Sequence, residues 1–333
     1  MTYQVPPTNQ TQVDVSVIVV TYNRDGVLQQ TLECLFKQDP VPREIIVVDQ
    51  SENHDQRTQQ FLDEAVNQNL IRYIFQSEPN AQRARNRAIS EARSEVLLFV
   101  DDDVLMDETL VGAHWKNYAD PDLAAVCGYY TEPGGYPIDK LTTDCQTPIT
   151  GWIYFPHSYT KRIECYALPT CNGSIRRDVI VRLGGFDENY TYTHFDDTDF
   201  ACRLRAFGAK AVHDPHARLV HLKEPSGGKR PGGVNEYVIA DRNRWYTWVY
   251  FFWMNYRWRA WREIGWRLRG TVFSRKNISR PWHLAAALRH FFAGSMRAVK
   301  VIRGGRKLGL VQAPAVEEGI SHLRGTPQSA VGP

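Results

Sequence analysis

Three consecutive aspartates, Asp101, Asp102 and Asp103, directly follow the apolar sequence LLFV at residues 97–100. Carboxylates this close repel one another, so the segment indicates that a positive charge completes it. Asp101 and Asp103, one residue apart, offer hard oxygen ligands of the kind that Mg2+ and Mn2+ prefer, and these ions commonly take substrate phosphates as further ligands. The alternative is structural: a solvated turn, or an acidic first helical turn that the helix dipole favours.

A second acidic group stands in the sequence THFDDTDFACRLRAFG at residues 193–208. Its apolar residues recur at helical spacing, which predicts an amphipathic helix with Asp196 and Asp197 in its first turn. Asp199 and Arg203, four residues apart, are expected to form a surface ion pair. Acidic residues are favoured at a helix start for structural reasons alone, but a carboxylate within reach of a substrate hydroxyl can also remove its proton.

Four short apolar runs alternate with periodic segments of helical length, which predicts β-α-β-α organisation. The runs cover residues 15–21, 44–49, 71–75 and 96–100, and the periodic segments lie near residues 27–37, 56–67 and 82–92. We therefore expect an α/β fold with a mostly parallel, twisted sheet flanked by helices on both faces. Ligands of such sheets bind outside the carboxyl ends of the strands, so the polar residues that follow each strand should converge there. These residues are Thr21, Tyr22, Asn23, Arg24, Asp49 and the three aspartates.

Composition and missing motifs exclude several functions. The 333 residues carry a net charge of only +3, and neither a G-x-x-x-x-G-K-[ST] nor a G-x-G-x-x-G sequence is available to hold phosphates. The first fourteen residues lack the apolar core of a signal peptide and no run is long enough for a membrane span, so a cytoplasmic location is expected. Six cysteines without a Cys-x-x-Cys pair favour reduced thiols over a zinc site.

Six sequences in order resemble the family-two inverting glycosyltransferases of the GT-A fold. They are VSVIVVTYNR, EIIVVDQS, NAQRARNRAIS, LLFVDDDV, GGFDE and FDDTDFACRLRAFG. The resemblance covers about residues 14–225, and the ordered set is specific although each sequence alone is weak. One departure is visible, because the family commonly has glycine where Ala81 and Arg87 stand.

The resemblance implies roles on the donor side of the site. The D-x-D motif would hold the Mg2+ or Mn2+ ion that bridges the donor diphosphate through Asp101 and Asp103, with Asp102 facing the ribose. Arg85 and Asn86 match the ARN sequence of the family and are assigned to donor binding. The positions that would hold the nucleoside are Thr21, Tyr22, Asn23, Arg24 and Asp49.

The resemblance also implies roles for the acceptor side. The family's acidic pair aligns with Asp196 and Asp197, so we assign Asp197 as the general base and Asp196 as a carboxylate that positions the acceptor or as the second choice for the base. Plausible residues of the acceptor wall are Asn172, Gly173 and Ser174.

One histidine is expected at the metal or diphosphate. His221 ends a strand-like run, at the place where related transferases often supply such a histidine, whereas His213 and His216 flank a proline turn without an evident fourth zinc ligand. The glycine-rich segment that follows, with Lys229 and Arg230, could close over the donor and exclude water.

The composition changes after about residue 235. Six of the nine tryptophans interleave with arginines there: Trp245, Trp248, Trp253, Trp258, Trp261 and Trp266. Amphipathic helices of this composition suit a membrane surface, which residues 242–290 would contact, and the alternative is that the tryptophans pack this region onto the rest of the chain.

These observations predict a flexible N-terminus at residues 1–13, a catalytic domain at 14–235, a helical appendage at 236–303 and a disordered tail at 304–333. Residues 14–104 of the domain would bind the nucleotide sugar and residues 105–235 the acceptor. The expected activity is metal-dependent, inverting transfer of a sugar to an acceptor hydroxyl, in the synthesis of a cell-surface polysaccharide, lipopolysaccharide or glycolipid. The acceptor would be a saccharide or a lipid-linked saccharide, with no nucleic acid as partner. Two alternatives stay open: a haloacid-dehalogenase-like phosphatase with Asp101 as nucleophile, and a non-catalytic, membrane-associated protein that binds sugar nucleotides.

Overall fold

A nine-stranded sheet forms the centre of the described chain. The computed structural model describes residues 11–140, 155–191, 195–228 and 241–310. The strands lie in the order β3, β2, β1, β4, β8, β6, β9, β5, and β7 pairs with β9. Their bounds are β1 (Gln12–Thr21), β2 (Val41–Asp49), β3 (Arg72–Phe75), β4 (Val96–Asp101), β5 (Val104–Met106), β6 (Leu123–Thr131), β7 (Ile163–Glu164), β8 (Asn172–Arg176) and β9 (Lys210–His221).

The first four strands are parallel and are joined by the crossover helices that the sequence predicts. These helices are α1 (Gly26–Phe36), α2 (Gln56–Asn67) and α3 (Ala81–Glu91). The inner strands are buried on both faces: Val17 belongs to one core cluster and Ile18 to another, which explains their unbroken apolar sequences. In the register of the sheet, Thr21 pairs with Asp49, and Val20 pairs with Asp101. The polar strand ends therefore lie at one edge, as predicted.

The other half of the sheet is mixed. Strand β8 is antiparallel to β4 and to β6, whereas β6 and β9 are parallel. The predicted α/β class with flanking helices is confirmed, but the sheet is uniformly parallel only in its first half, because the regular β-α-β alternation that supplies crossovers ends at Asp101. Three helices accompany these strands: α4 (Leu110–Trp115), α5 (Arg177–Arg182) and α6 (Asp196–Ala206).

The C-terminal region is helical, as predicted. Asp241 caps α7 by accepting hydrogen bonds from the backbone N–H groups of Asn243 and Arg244. The longest helix crosses close to α7 at Gly294, where a Cβ atom would lie 2.3 Å from the carbonyl oxygen of Arg242. No helix of the described residues is long and apolar enough to cross a bilayer. The helices are α7 (Arg242–Tyr256), α8 (Ala260–Arg267), α9 (Arg275–Ile278) and α10 (Pro281–Gly304).

The tryptophans of this region divide into a buried group and an exposed group. Trp245 is fully buried in an aromatic core formed mainly by α7, and Trp248 and Trp253 are partly buried against it. The other three are largely exposed, with 75% of Trp258, 66% of Trp261 and 71% of Trp266 open to solvent. Packing in the aromatic core explains the positions of Trp245, Trp248 and Trp253, but not the exposure of the other three.

Residues 305–310 return to the α/β part of the chain. Arg306 pairs with Asp199 in α6 and lies 3.6 Å from the Oδ2 atom of Asp187, while the backbone N–H of Lys307 donates to Asp187 at 3.0 Å. The structure thus differs from the prediction of a disordered tail from residue 304, and the rest of that tail lies outside the described residues. Arg203 also pairs with Asp199, at 3.0 Å, but the pair is buried and not on the surface, because Arg306 and the helical region cover it.

Candidate active site

A cavity of about 440 Å³ opens at the carboxyl ends of the parallel strands. Most of the predicted site residues line it, although they come from distant parts of the sequence. They are Thr21, Tyr22, Arg24, Arg85, Asp101, Asp102, Asp103, Asp196, Asp197 and His221.

The three strand-end aspartates have different surroundings. Asp101 retains 31% exposure, whereas Asp102 and Asp103 are buried and share the guanidinium of Arg24, whose Nη1 lies 3.4 Å from the Oδ2 atom of Asp103. Burial raises the pKa of Asp102 to about 7, although the charge of Arg24 opposes it. Burial would also raise the pKa of Asp103, but the hydrogen bond and charge of His221 outweigh it and hold that pKa below its ordinary value. Basic side chains of the protein thus balance part of the negative charge of the three aspartates.

Two further potential metal ligands converge beside Asp101. A carboxylate oxygen of Asp101, a ring nitrogen of His221 and the sulfur of Cys171 all lie within 4.8 Å of one another. Asp103 stands next to this group, with its Oδ1 atom 3.1 Å from His221 Nε2 and its Oδ2 atom accepting from the backbone N–H of Glu224 at 2.9 Å. An acid, an imidazole and a thiol form a donor set that fits a divalent transition metal.

Arg85 joins the metal side of the cavity to the acidic helix start. Its guanidinium lies 3.7 Å from Asp101 Oδ1 and 3.6 Å from Asp196 Oδ2. Asp196 also accepts a hydrogen bond from the side chain of Gln82 at 2.5 Å. Helix α3 therefore holds the first turn of α6 against the end of β4, which brings carboxylates from distant parts of the chain into one site.

Asp197 has one hydrogen-bonded oxygen and one that accepts nothing from the described residues. Its Oδ2 atom accepts from the backbone N–H of Thr170 at 3.3 Å, whereas its Oδ1 atom is shielded from solvent and has no hydrogen-bond donor among the residues the structure describes. Burial, and then the charge of Asp196, raise the pKa of Asp197 to about 7. A carboxylate with a free lone pair and a near-neutral pKa is suited to accept a proton from a hydroxyl.

The family model for "Glycosyl transferase family 2" matches residues 16–182. The chain belongs to glycosyl transferase family 2. The match includes both the parallel half of the sheet and the three aspartates, whereas Asp196, Asp197 and His221 lie beyond it.

Curated relatives agree with this family, and a solved structure shares its fold. The chain is 26% identical over 218 residues to validoxylamine A glucosyltransferase of Streptomyces hygroscopicus subsp. limoneus, covering 58% of this chain and 48% of that protein. It is 24% identical over 258 residues to the uncharacterized glycosyltransferase YfnE of Bacillus subtilis (strain 168), covering 64% and 66%. The chain thus spans about half of the first relative and about two thirds of the second. A crystal structure of GalNAc-T7 with UDP, GalNAc and Mn2+ shares the fold, with a TM-score of 0.58 and 15% identity over 86% of this chain and 58% of that one.

The predicted acceptor wall of this family 2 glycosyltransferase is not at the cavity. Asn172, Gly173 and Ser174 lie in β8, in the middle of the sheet, and the Asn172 amide donates to the backbone oxygens of Tyr129 and Ala217. These residues are buried, and their polar side chains bond within the protein: Asn172 and Ser174 both contact the ring of His114.

Three donor-side residues also lie away from the cavity wall. The Asn86 side chain holds the backbone of Phe186 through hydrogen bonds of 2.8 and 2.9 Å, and the Asn23 backbone N–H donates to Ser51 Oγ at 2.8 Å. Asp49 is fully buried below the wall. Asn86 and Asp49 support the site from behind, since their side-chain polar atoms bond within the protein, whereas Asn23 is exposed and uses only its backbone N–H.

The Asp49 carboxylate is already satisfied by protein donors. It accepts hydrogen bonds from the Ser51 backbone N–H at 2.8 Å and from the Tyr73 hydroxyl at 2.8 Å, and it lies 2.6 Å from His54 Nε2. The hydrogen bond to Asp49, aided by Asp25, raises the pKa of His54 to about 9. The neighbouring Gln50 lines the cavity in its place.

The sequence did not identify several residues of the wall. Phe155 lies in the stretch 131–165, which is rich in proline, glycine and tyrosine and has no clear period. Tyr130, near the end of β6, and Thr170, before β8, belong to no motif that indicates a site. Gly228 borders the cavity, and its backbone N–H donates to Tyr22 O at 2.7 Å. The positive φ angle of Gly227, +70°, agrees with the glycine pair in the sequence, while Lys229 and Arg230 lie outside the described residues.

Proposed function

We propose that this family 2 glycosyltransferase transfers a sugar, with inversion, from a nucleoside-diphosphate sugar to an acceptor hydroxyl. The observation that carries the proposal is the placement of Asp197, with its unbonded oxygen, across one cavity from the potential metal ligands Asp101 and His221. Arg85 lies between the two groups, within 4 Å of Asp101 and Asp196.

The strand-end residues would bind the donor. Thr21, Tyr22 and Gln50 form the wall on the side of the parallel strands, where nucleosides bind in sheets of this kind. Asp101 and His221 would hold a divalent ion, Mg2+ or Mn2+, which offsets the negative charge that develops on the leaving diphosphate. Arg85 provides a planar cation beside the same charge.

Asp197 would take the proton of the acceptor hydroxyl as that oxygen attacks the anomeric carbon. Its pKa of about 7 means that a large fraction is deprotonated near neutral pH, while it retains enough basicity to accept a proton. Attack from the face opposite the leaving group inverts the anomeric configuration. Asp196, bonded to Gln82, would orient the acceptor and is the second choice for the base.

The test is a panel of UDP-glucose, UDP-N-acetylgalactosamine and GDP-mannose with Mn2+, Mg2+ or EDTA. We expect at least one donor to raise the melting temperature only with metal, and to be hydrolysed slowly to the nucleoside diphosphate. Proton NMR of the released sugar should show the inverted anomer first. Retention of configuration, or binding that EDTA does not affect, would contradict the proposal.

The two alternative functions predict other results. A phosphatase would release phosphate from p-nitrophenyl phosphate without any nucleotide, and the family and fold do not favour it. A non-catalytic binding protein would bind a donor of the panel but neither hydrolyse nor transfer it.

We further propose that the acceptor side of the enzyme works at an anionic membrane surface. Nine of the sixteen exposed large apolar side chains that the structure describes lie within residues 257–303. The same segment has twelve arginines and lysines against one glutamate, a formal charge of +11 in a chain whose total is +3. Exposed indole rings and a high positive charge together match the headgroup region of an anionic bilayer. A lipid-linked acceptor would fit this placement.

Vesicle sedimentation tests the membrane proposal. The full chain should bind vesicles containing phosphatidylglycerol, bind phosphatidylcholine vesicles less, and lose affinity as salt rises. Replacing Trp258, Trp261 and Trp266 by serine should weaken binding about ten-fold or more, whereas Tyr136→Ser, an exposed aromatic elsewhere, should not. Equal binding to both vesicles, or preferential binding to RNA, would contradict it.

A further inference from the structure

Cys171 is the one member of the metal-ligand group that the family resemblance did not point to. It precedes strand β8, is 7% exposed, and places its sulfur within 4.8 Å of both an Asp101 oxygen and a His221 nitrogen. Ligand atoms of a single tetrahedral transition-metal ion stand about 3.3–3.8 Å apart, so shifts of about 1 Å would bring all three onto one ion.

The neighbouring carboxylate is less available than the thiol. Asp103 is held by Arg24, by His221 and by the backbone N–H of Glu224. The Cys171 thiol forms a hydrogen bond with the hydroxyl of Tyr130, a cavity residue. Burial raises the pKa of this thiol, so the thiolate forms only when a bound cation offsets its charge. The third donor beside Asp101 and His221 is therefore a soft sulfur atom and not a second hard oxygen.

We propose that Cys171 is a ligand of the metal ion held by Asp101 and His221, and that it biases the site toward Mn2+, Co2+, Zn2+ and Cd2+ over Mg2+. The inference rests on the proposed function, since it concerns the same metal site. On binding, the sulfur coordinates as thiolate and its proton passes to solvent. Soft thiolate ligands select against Mg2+, which prefers oxygen and gives up its water reluctantly.

Co2+ is the probe for the experiment, because thiolate coordination gives an intense ligand-to-metal charge-transfer band in the near ultraviolet. Titration of the full chain with Co2+ should produce this band, and equilibrium dialysis should show tighter binding of Co2+ and Cd2+ than of Mg2+. Cys171→Ser should lose the band and bind Co2+ about ten-fold more weakly or worse, with a smaller effect on Mg2+. Cys171→Ala should do the same, and thermal unfolding checks that both variants fold.

Cys34→Ser is the matched control, since Cys34 is partly exposed and outside the cavity wall. This control should keep the band. Co2+ binding by the natural protein without the band, or a band that survives Cys171→Ser, would overturn the inference while leaving metal-dependent transfer intact. If the natural protein bound no divalent ion at all, both the inference and the proposed metal dependence would fail. A band without any transfer would support the inference and contradict only the proposed activity.

Discussion

Replacing Asp197 by asparagine should remove activity and stabilise the fold at the same time. The introduced amide keeps an oxygen that can accept from the Thr170 backbone N–H, so the local hydrogen bond survives. It cannot accept a proton from the acceptor hydroxyl. Loss of a general base typically costs about 10²- to 10⁴-fold in rate, so turnover should fall by that factor while donor affinity changes little.

The stability gain follows from the burial of the charge. The pKa of Asp197 rises from 3.8 to about 7, and each unit corresponds to about 1.4 kcal/mol, which sets an upper limit near 4 kcal/mol. The side chain is partly exposed, so we expect about 1–3 kcal/mol. Because the pKa of Asp197 is raised in the folded state, the unfolding free energy of the natural protein falls as the pH increases from about 4 to about 7 and then stays constant. The variant has no charge to bury, so its unfolding free energy does not show this fall.

The assay is urea unfolding of both proteins at pH 4 and at pH 8, together with donor turnover. The difference in unfolding free energy should be near zero at pH 4 and largest at pH 8. Asp178→Asn is the control, because Asp178 is 64% exposed and should change stability by less than about 0.5 kcal/mol. An equal difference at both pH values would refute the burial argument, and a loss of turnover below ten-fold would refute the assignment of the base.

Three further substitutions test the surroundings of the site. Arg306→Met should lower the unfolding free energy by about 3–5 kcal/mol in urea unfolding, because it leaves the buried Asp187 carboxylate without a cation and Asp199 with Arg203 alone. Arg303→Met, at an exposed position, should be nearly neutral. Protonated His54 stabilises the fold below about pH 6.5, and this contribution is lost as the pH rises past its folded-state pKa of about 9. The unfolding free energy of the natural protein should therefore decline by about 2–3 kcal/mol between those pH values, and His54→Gln should remove that decline in urea unfolding. Asn172→Ala should lower the unfolding free energy by about 2–4 kcal/mol in thermal unfolding, because it removes the amide that donates to the backbone oxygens of Tyr129 and Ala217. The KM for the acceptor should not change. A change in that KM without a loss of stability would return Asn172 to the acceptor wall.

Part of the cavity wall was predictable because its position follows from strand periodicity. A parallel strand buried on both faces is a continuous apolar run, so the residue after it can be placed at the ligand edge from sequence alone. Thr21, Arg24 and Asp101 were located in this way. His221 was found at the end of an apolar run for a similar reason.

The other features of the site depend on contacts between distant residues, which no local sequence pattern indicates. The orientation of Asn172 is set by the antiparallel pairing of β8 between β4 and β6, which the absence of a crossover helix left undetermined. His54 reaches the Asp49 carboxylate only because the segment after β2 folds back toward the end of that strand, which the sequence does not indicate. Cys171 carries no signal in the sequence, since a lone cysteine becomes meaningful only once Asp101 and His221 stand beside it.

The position of Arg306 has a consequence for the order in which the protein is made. This residue follows its partner Asp199 by 107 positions. At about 5–20 residues per second, the ribosome needs about 5–20 s to reach it after completing helix α6. During that interval Asp187 lacks its cation and Asp199 has only Arg203, whereas the contacts of helix α3 with the first turn of α6 can already form. The nascent chain would therefore assemble the cavity before the buried charges behind it are balanced, and that balance is completed only after Arg306 has left the ribosome.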